Sequence, residues 1–271
     1  METPTGTPPI KICGLMRAQD VIACCHLGVH ITGFVTEYPA QVPWNLTRDQ
    51  AERLMENAAG DVKTCVVTGG SRDKILSLAM ALHPDYIQLQ CHETLADASV
   101  IAKALAPEGI RVIKSIPEDP FERMLQFATT DPARCARLLN DTQVAAVLIG
   151  SHFKGHPAPG AGHKDSHESG RERKNGRRNG HSPGLTADCG KPTGKKRSTE
   201  PLLPEIPDIY GPVREASALP VILAGGITAM NLAEISKRWN PDILDVMTGA
   251  EIRPGVKDAD LIRKLTGAQH G

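Results

Sequence analysis

Short apolar runs alternate along this chain with stretches whose apolar residues recur every three or four positions. "IKIC" precedes "RAQDVIACCHLG", where Val21, Cys24, Cys25 and Leu27 keep near-helical spacing up to the stop at Gly28. "HITGFV" is followed by "LTRDQAERLMENAAG", with Thr47 expected as the N-cap and Gly60 as the exit. The same rhythm continues through "KTCVV" and "SRDKILSLAMALH", then "DYIQLQ" and "TLADASVIAKALA", then "IRVIKSI" and one helix from about Asp119 to Leu139. "VAAVLIG" is almost wholly apolar, and after a long interruption a helical stretch near residues 205 to 218 leads into "PVILAGG". "AMNLAEISKRW", "ILDVMTG" and "DADLIRKL" complete the pattern, which makes eight strands, each followed by helix. Continuous apolar strands in strict alternation with amphipathic helices predict a parallel sheet buried on both faces. Eight such units close most naturally into a single α/β barrel, a (β/α)8 TIM barrel spanning residues 1–271. A doubly wound open sheet is the weaker alternative.

One segment departs from this rhythm. Residues 151–200 lack apolar periodicity and are rich in Gly, Pro, Ser, His and basic residues. They carry eleven Lys or Arg against five Asp or Glu, a formal +6, so the remaining 221 residues carry −6. So polar a stretch buries too little surface to offset its ordering entropy, which predicts a disordered insertion. It falls between strand six and the next helix, at the end of a barrel where active sites are built.

Composition narrows the class further. The whole chain has a formal net charge of zero, which gives no electrostatic case for nucleic acid or an anionic membrane as partner. No apolar run approaches the roughly 18 residues of a membrane span. The opening "METPTGTPP" lacks the basic start and apolar stretch of a signal peptide. Seven cysteines without a pairing framework predict reduced thiols and a cytoplasmic location.

The ends of the strands carry the chemistry. Cys13 closes the first strand and Gly14 opens the turn behind it, so the thiol faces whatever the following loop surrounds. Lys11 has the same alternation parity as Cys13 and is expected to share the barrel interior, where its charge would favour a thiolate. "AGG" at Ala224–Gly226 follows strand seven and "TG" at Thr248 and Gly249 follows strand eight. Loops after strands seven and eight are the usual phosphate site of a barrel, because glycine lets backbone amides approach closely and a helix N-terminus follows.

Taken in order, "KICGL", "GFVTEYPAQVPWNLTRDQA", "IQLQCHE", "VIKSI", "PVILAGGITAMN" and "LDVMTGAEIRPGVKD" resemble the strand ends of the phosphoribosylanthranilate isomerase family. The resemblance covers nearly everything except the insertion. It implies a tryptophan-biosynthesis enzyme that rearranges N-(5-phosphoribosyl)anthranilate to a 1-deoxyribulose 5-phosphate, with a phosphorylated sugar as its small-molecule substrate and no cofactor. Such a reaction needs an acid for the ring oxygen, a base for the neighbouring sugar carbon, and donors for the phosphate. The resemblance implies Cys13 as general base, Gln88 as a substrate contact, and Gly225, Gly226, Thr248 and Gly249 as the phosphate site. The family's acid, an aspartate at the end of strand six, corresponds here to Gly150, and its carboxylate-binding arginine corresponds to Trp44, with Arg48 close by in sequence. In "IQLQCHE", Gln90 and Cys91 stand where the family has histidine and glycine. Asp188, just ahead of "KPTGKKRS", is the candidate acid, with Asp165 deeper in the insertion as an alternative.

His152, His156, His163, His167 and His181 suit a zinc site only on a helix, and the surrounding glycines and prolines predict solvated side chains and no metal. Two other readings compete with the isomerase: a related sugar-phosphate isomerase, which would want a carboxylate in place of Cys13, and a non-catalytic phosphosugar-binding barrel. The chain is expected to act as a monomer or homodimer.

Overall fold

The computed structural model describes residues 8–150 and 207–267. Eight parallel strands form a closed barrel in chain order: β1 (Ile10–Ile12), β2 (Ile31–Val35), β3 (Lys63–Thr68), β4 (Tyr86–Leu89), β5 (Arg111–Ser115), β6 (Ala146–Ile149), β7 (Val221–Ala224) and β8 (Ile243–Val246). Closure is made by β1 against β8, where Lys11 stands opposite Asp245. The helices between strands are α1 (Ala18–His26), α2 (Arg48–Met55), α3 (Arg72–Leu82), α4 (Leu95–Leu105), α5 (Pro120–Phe127), α6 (Pro132–Asn140), α7 (Tyr210–Ala216) and α8 (Leu232–Trp239). A hairpin of β9 (Glu251–Arg253) and β10 (Val256–Lys257) precedes α9 (Ala259–Thr266). The expected barrel is therefore present, while the 151–200 insertion lies outside the described residues.

Strand alternation divides the apolar residues into two layers. Ile31, Val35, Cys65, Val67, Ile113, Leu148 and Ile222 fill the barrel interior. Their neighbours Phe34, Val66, Val112, Val147 and Leu223 pack outward against the helices. A fully buried Leu or Ile contributes about 1.5–3 kcal/mol, so the two layers together supply the main drive to this closed sheet. Lys11, Lys114 and Gln88 are buried polar exceptions. Among the described residues, no helix is long and apolar enough to cross a membrane.

Side-chain caps begin several helices, and the expected one, Thr47, is among them. Thr47 caps α2 in a reciprocal capping box with Gln50, and Thr94 does the same for α4 with Asp97. Two boundaries differ. Helix α2 ends at Met55 with Glu56 as its C-cap, ahead of Gly60. The single helix expected from about Asp119 to Leu139 is two helices. Ala128 takes a left-handed φ of 55° to end α5, and Asp131 caps a new helix whose first residue is Pro132. The apolar periodicity continues across the break, which hides it from a period count. Proline at the first helical position and aspartate before it are the signals that mark it.

Left-handed backbone costs an ordinary residue roughly 1 kcal/mol that glycine does not incur. Ala128→Gly, at an exposed position, is predicted to stabilise the fold by about 0.5 kcal/mol after glycine's own entropy is deducted. The measurement is a urea midpoint, which should rise; a fall would contradict the assignment of strain to this cap.

Candidate active site

A cavity of about 260 Å³ opens among the C-terminal ends of the strands. Cys13 from the end of β1 and Asp245 from β8 line it, with Gln88 and Gln90 at the end of β4 and Val67 and Leu148 from β3 and β6. Gly225 and Gly226 enter from the loop after β7, and Thr248 and Gly249 from the turn after β8. The barrel order places Cys13 between the β8 turn and Trp44 of the β2–α2 loop, which also lines the cavity.

The position of the thiol follows from its neighbours. The Cys13 amide donates to the Val246 carbonyl at 2.9 Å, which continues the β1–β8 ladder one residue past the strand. Gly14 then turns the chain with φ +73°, and a Cβ there would lie 2.6 Å from Met247 Cε and 3.0 Å from Trp44 Cδ1. No side chain fits at Gly14, so the turn places the cysteine sulfur at the cavity while its own backbone passes under two bulky residues. Cys13 is only 5% exposed.

Beneath it, Lys11 Nζ donates to Asp245 Oδ2 at 2.7 Å, and Lys11 is fully buried. Burial opposes the lysine charge, yet the Asp245 carboxylate together with Cys13 and Cys65 outweighs it and holds the ammonium above the usual lysine range. Cys13 also feels this pair. Burial pushes the thiol up, the Lys11 cation pulls it down, and Asp245 pushes it up again; the net direction is upward. Lys11 does favour the thiolate, as its parity suggested, but its charge is shared with a carboxylate and burial outweighs it. The surroundings as a whole therefore leave the thiol above its usual range.

The two glycine-bearing turns are held tightly together. A Cβ on Gly249 would lie 1.8 Å from the Ile227 carbonyl oxygen, so the β8 turn packs on the β7 loop at a distance only glycine allows. Asn231, just before α8, donates to the Gly226 carbonyl at 2.9 Å and accepts from the Thr228 amide at 2.8 Å. It fixes the loop carrying Gly225 and Gly226.

A second buried ion pair holds the neighbouring wall, at Trp44. Trp44 Nε1 donates to Glu251 Oε1 at 2.8 Å, and the same oxygen accepts from Lys257 Nζ at 2.8 Å and from the Gly255 amide at 3.1 Å. Lys257 Nζ also donates to the Met247 carbonyl at 3.0 Å. The β9–β10 hairpin thus clamps the tryptophan and the residue that crowds Gly14. Neither Glu251, Lys257 nor Asn231 carried a signal in the sequence, because their partners lie on distant segments.

Comparison with known proteins adds to this geometry. The family described as N-(5'-phosphoribosyl)anthranilate isomerase matches residues 211–268, the segment with both glycine-bearing turns. The isomerase of that name from Halorubrum lacusprofundi is 26% identical over 258 residues, covering 94% of each chain. That from Natronomonas pharaonis is 25% identical over 97% of this chain and 98% of its own. The crystal structure of the Thermus thermophilus enzyme superposes with a TM-score of 0.61 over 96% of each chain at 22% identity, a likeness of fold.

Over nearly its whole length the chain is similar to isomerases of the phosphoribosylanthranilate family, at 25–26% identity.

Against the phosphoribosylanthranilate isomerase pattern, Cys13, Gln88, Gly225, Gly226, Thr248 and Gly249 share one cavity. Gln88 Nε2 donates to Gln90 Oε1 at 2.8 Å, so the two glutamines act as one polar wall. Gly150 is the residue that the sequence resemblance sets at the family's acid position, and a Cβ there would lie 2.6 Å from Ala224 Cβ. An aspartate therefore does not fit at Gly150 without moving β7. Asp188, Asp165 and the five insertion histidines lie outside the described residues. Arg48 pairs with Glu37 at 3.3 Å, and it is not among the residues lining the cavity. Cys91 packs beside Glu93, whose carboxylate accepts its amide at 3.0 Å. Among the described residues no group of three His, Cys, Asp or Glu is placed to hold a metal.

The direction of the Cys13 shift is testable by alkylation. The pH–rate midpoint for iodoacetamide labelling of Cys13, followed by peptide mass spectrometry, should lie above the ordinary thiol value of about 8.5. Lys11→Met removes the charge that favours thiolate and should move the midpoint higher still. A midpoint below 8 in the wild type, or a downward move in the variant, would contradict this electrostatic picture.

Proposed function

We propose that this chain catalyses the Amadori rearrangement of N-(5-phosphoribosyl)anthranilate to 1-(2-carboxyphenylamino)-1-deoxyribulose 5-phosphate, an aldose–ketose isomerisation in tryptophan biosynthesis. The reading is carried by one observation. A cysteine at the end of β1 shares a cavity with four residues of the β7 and β8 turns, in a chain whose full-length relatives carry this activity in their names. A solved structure of the family, with TM-score 0.62 and 17% identity, was determined with the reduced product analogue bound.

In this reading the phosphate dianion rests on the backbone of Gly225, Gly226, Thr248 and Gly249, near the start of α8. Gln88 hydrogen-bonds the sugar. Cys13, as thiolate, removes the proton from C2 once the ring has opened to the iminium. An anionic thiolate in this setting gains from the nearby Lys11, and the iminium cation of the open substrate adds positive charge at the moment the base is needed. The ring-oxygen proton comes from an acid other than the family's aspartate, since Gly150 has none; Asp188 is the proposed donor. Trp44 offers an aromatic face to the anthranilate ring in place of an arginine.

Gly150 is also what a phosphosugar-binding barrel without catalysis would have, and this second reading is separated by one experiment. A tryptophan auxotroph lacking this isomerase is complemented with the native chain and with Cys13→Ala. Growth with the native chain only is predicted, with kcat of the variant lower by at least about 100-fold. Growth with neither would favour the binding module, and growth with both would remove Cys13 as the base.

A further inference from the structure

Asp245 lies in the same cavity as Cys13, yet nothing in the proposed chemistry so far uses it. Its two oxygens differ. Oδ2 accepts from Lys11 Nζ at 2.7 Å, whereas Oδ1 is buried and has no hydrogen-bond partner among the described residues. The residue is 7% exposed. A buried carboxylate oxygen without a donor is costly, by about 1–3 kcal/mol or more for a charged group, and such atoms are rare in folded proteins. Here the orphaned oxygen belongs to a side chain lining the cavity, and its sister oxygen is held by a fully buried ammonium. The arrangement is that of an acceptor awaiting a hydroxyl.

The register supports this placement. Asp245 stands opposite Lys11 on β1 and opposite Ala224 on β7, so it lies between the cysteine strand and the strand that leads to Gly225. A phosphorylated sugar anchored at the β7 and β8 turns, with C2 at the cysteine, therefore spans the carboxylate. The C2 hydroxyl is bonded to the same carbon whose hydrogen Cys13 takes.

We propose that Asp245 is a catalytic residue of the isomerisation, its Oδ1 accepting the C2 hydroxyl of the opened sugar and taking that proton as the enaminol becomes the ketone. The inference rests on the isomerase reading above. The steps balance as follows. Cys13 thiolate takes the C2 hydrogen of the iminium, and the C–H electron pair forms the C1–C2 double bond while the C1–N double bond becomes single. The re-formed thiol then delivers a proton to C1. At the same time the O–H bond at C2 breaks toward Asp245, and its electron pair forms the carbonyl. Asp245 now carries one proton, equal to the one given to the ring oxygen at the start. Its return to that first donor restores every group, with no oxidant or reductant involved. Lys11 acts as a positioning residue, holding Oδ2 so that Oδ1 faces the sugar.

Two variants test this by steady-state kinetics on N-(5-phosphoribosyl)anthranilate. Asp245→Asn keeps the shape but leaves Lys11 unpaired, so the paired variant Lys11→Met/Asp245→Asn removes both charges. Exchanging a buried ion pair for neutral side chains is often neutral for stability, and thermal melting checks that the paired variant folds. The proposal predicts a kcat lower by at least about 100-fold in both, with KM moved by less than about three-fold. If the carboxylate serves only to balance Lys11, the paired variant loses no more kcat than the move of its Cys13 alkylation midpoint accounts for, about ten-fold per pH unit, which overturns the proposal. A rise in KM with unchanged kcat overturns the proton step as well. A wild type without turnover would instead remove the isomerase reading on which the inference rests, whereas an active wild type with an active paired variant removes the inference alone.

Discussion

The ion pair between Lys11 and Asp245 ties the first strand to the last at the point where the barrel closes. Burying two charges is expensive, and their mutual attraction repays the cost only with close geometry and satisfied partners. This pair meets the first condition at 2.7 Å and leaves the second incomplete at Asp245 Oδ1. An interior packed with isoleucine, valine and leucine would serve stability better. The pair instead sets the electrostatics of the cavity, since both partners act on the Cys13 thiol. It also decides which carboxylate oxygen remains for a ligand. Much of the functional reading traces to this one contact.

A second pair plays the complementary part at the rim. Glu251 and Lys257 are nearly fully buried, and between them they hold the Trp44 indole and the Met247 carbonyl. On the sequence resemblance, Trp44 takes the place of the family's arginine. A planar ring held by its N–H offers stacking area with little rotational freedom to lose, and selects by shape more than by charge. In the proposed mechanism the two ion pairs divide the cavity into a floor that handles protons and a wall that faces the aromatic end of the substrate.

How much of this was legible in the chain varies with the range of the interaction. Strand and helix alternation is a local signal, so the eight-stranded barrel, the Thr47 cap and the cysteine at the end of β1 were all readable. The glycines after β7 and β8 were readable because their residue type is dictated by backbone proximity, as the Ile227 contact on Gly249 illustrates. Parity placed Lys11 beside Cys13 correctly, but not the sign of the net effect on the thiol. That sign depends on burial and on Asp245, which is 234 residues away from Lys11 in the chain. The break between α5 and α6 was lost for a different reason: apolar spacing continues across Ala128, and only Asp131 and Pro132 mark the restart. Asn231, Glu251 and Lys257 carry no distinguishing pattern, since a side chain that bonds to a distant carbonyl or indole looks like any other polar residue.

The central claim is that one cavity holds the sugar phosphate with its C2 carbon between the Cys13 sulfur and the free oxygen of Asp245. A crystal structure of the full chain with the reduced product analogue tests it most directly. The account predicts the phosphate within hydrogen-bond distance, about 2.7–3.2 Å, of the amides at Gly225, Gly226 or Gly249. It also predicts the C2 oxygen at Asp245 Oδ1 and the C2 carbon in contact with Cys13 Sγ. A ligand seated elsewhere, or one whose C2 faces away from both residues, would contradict it.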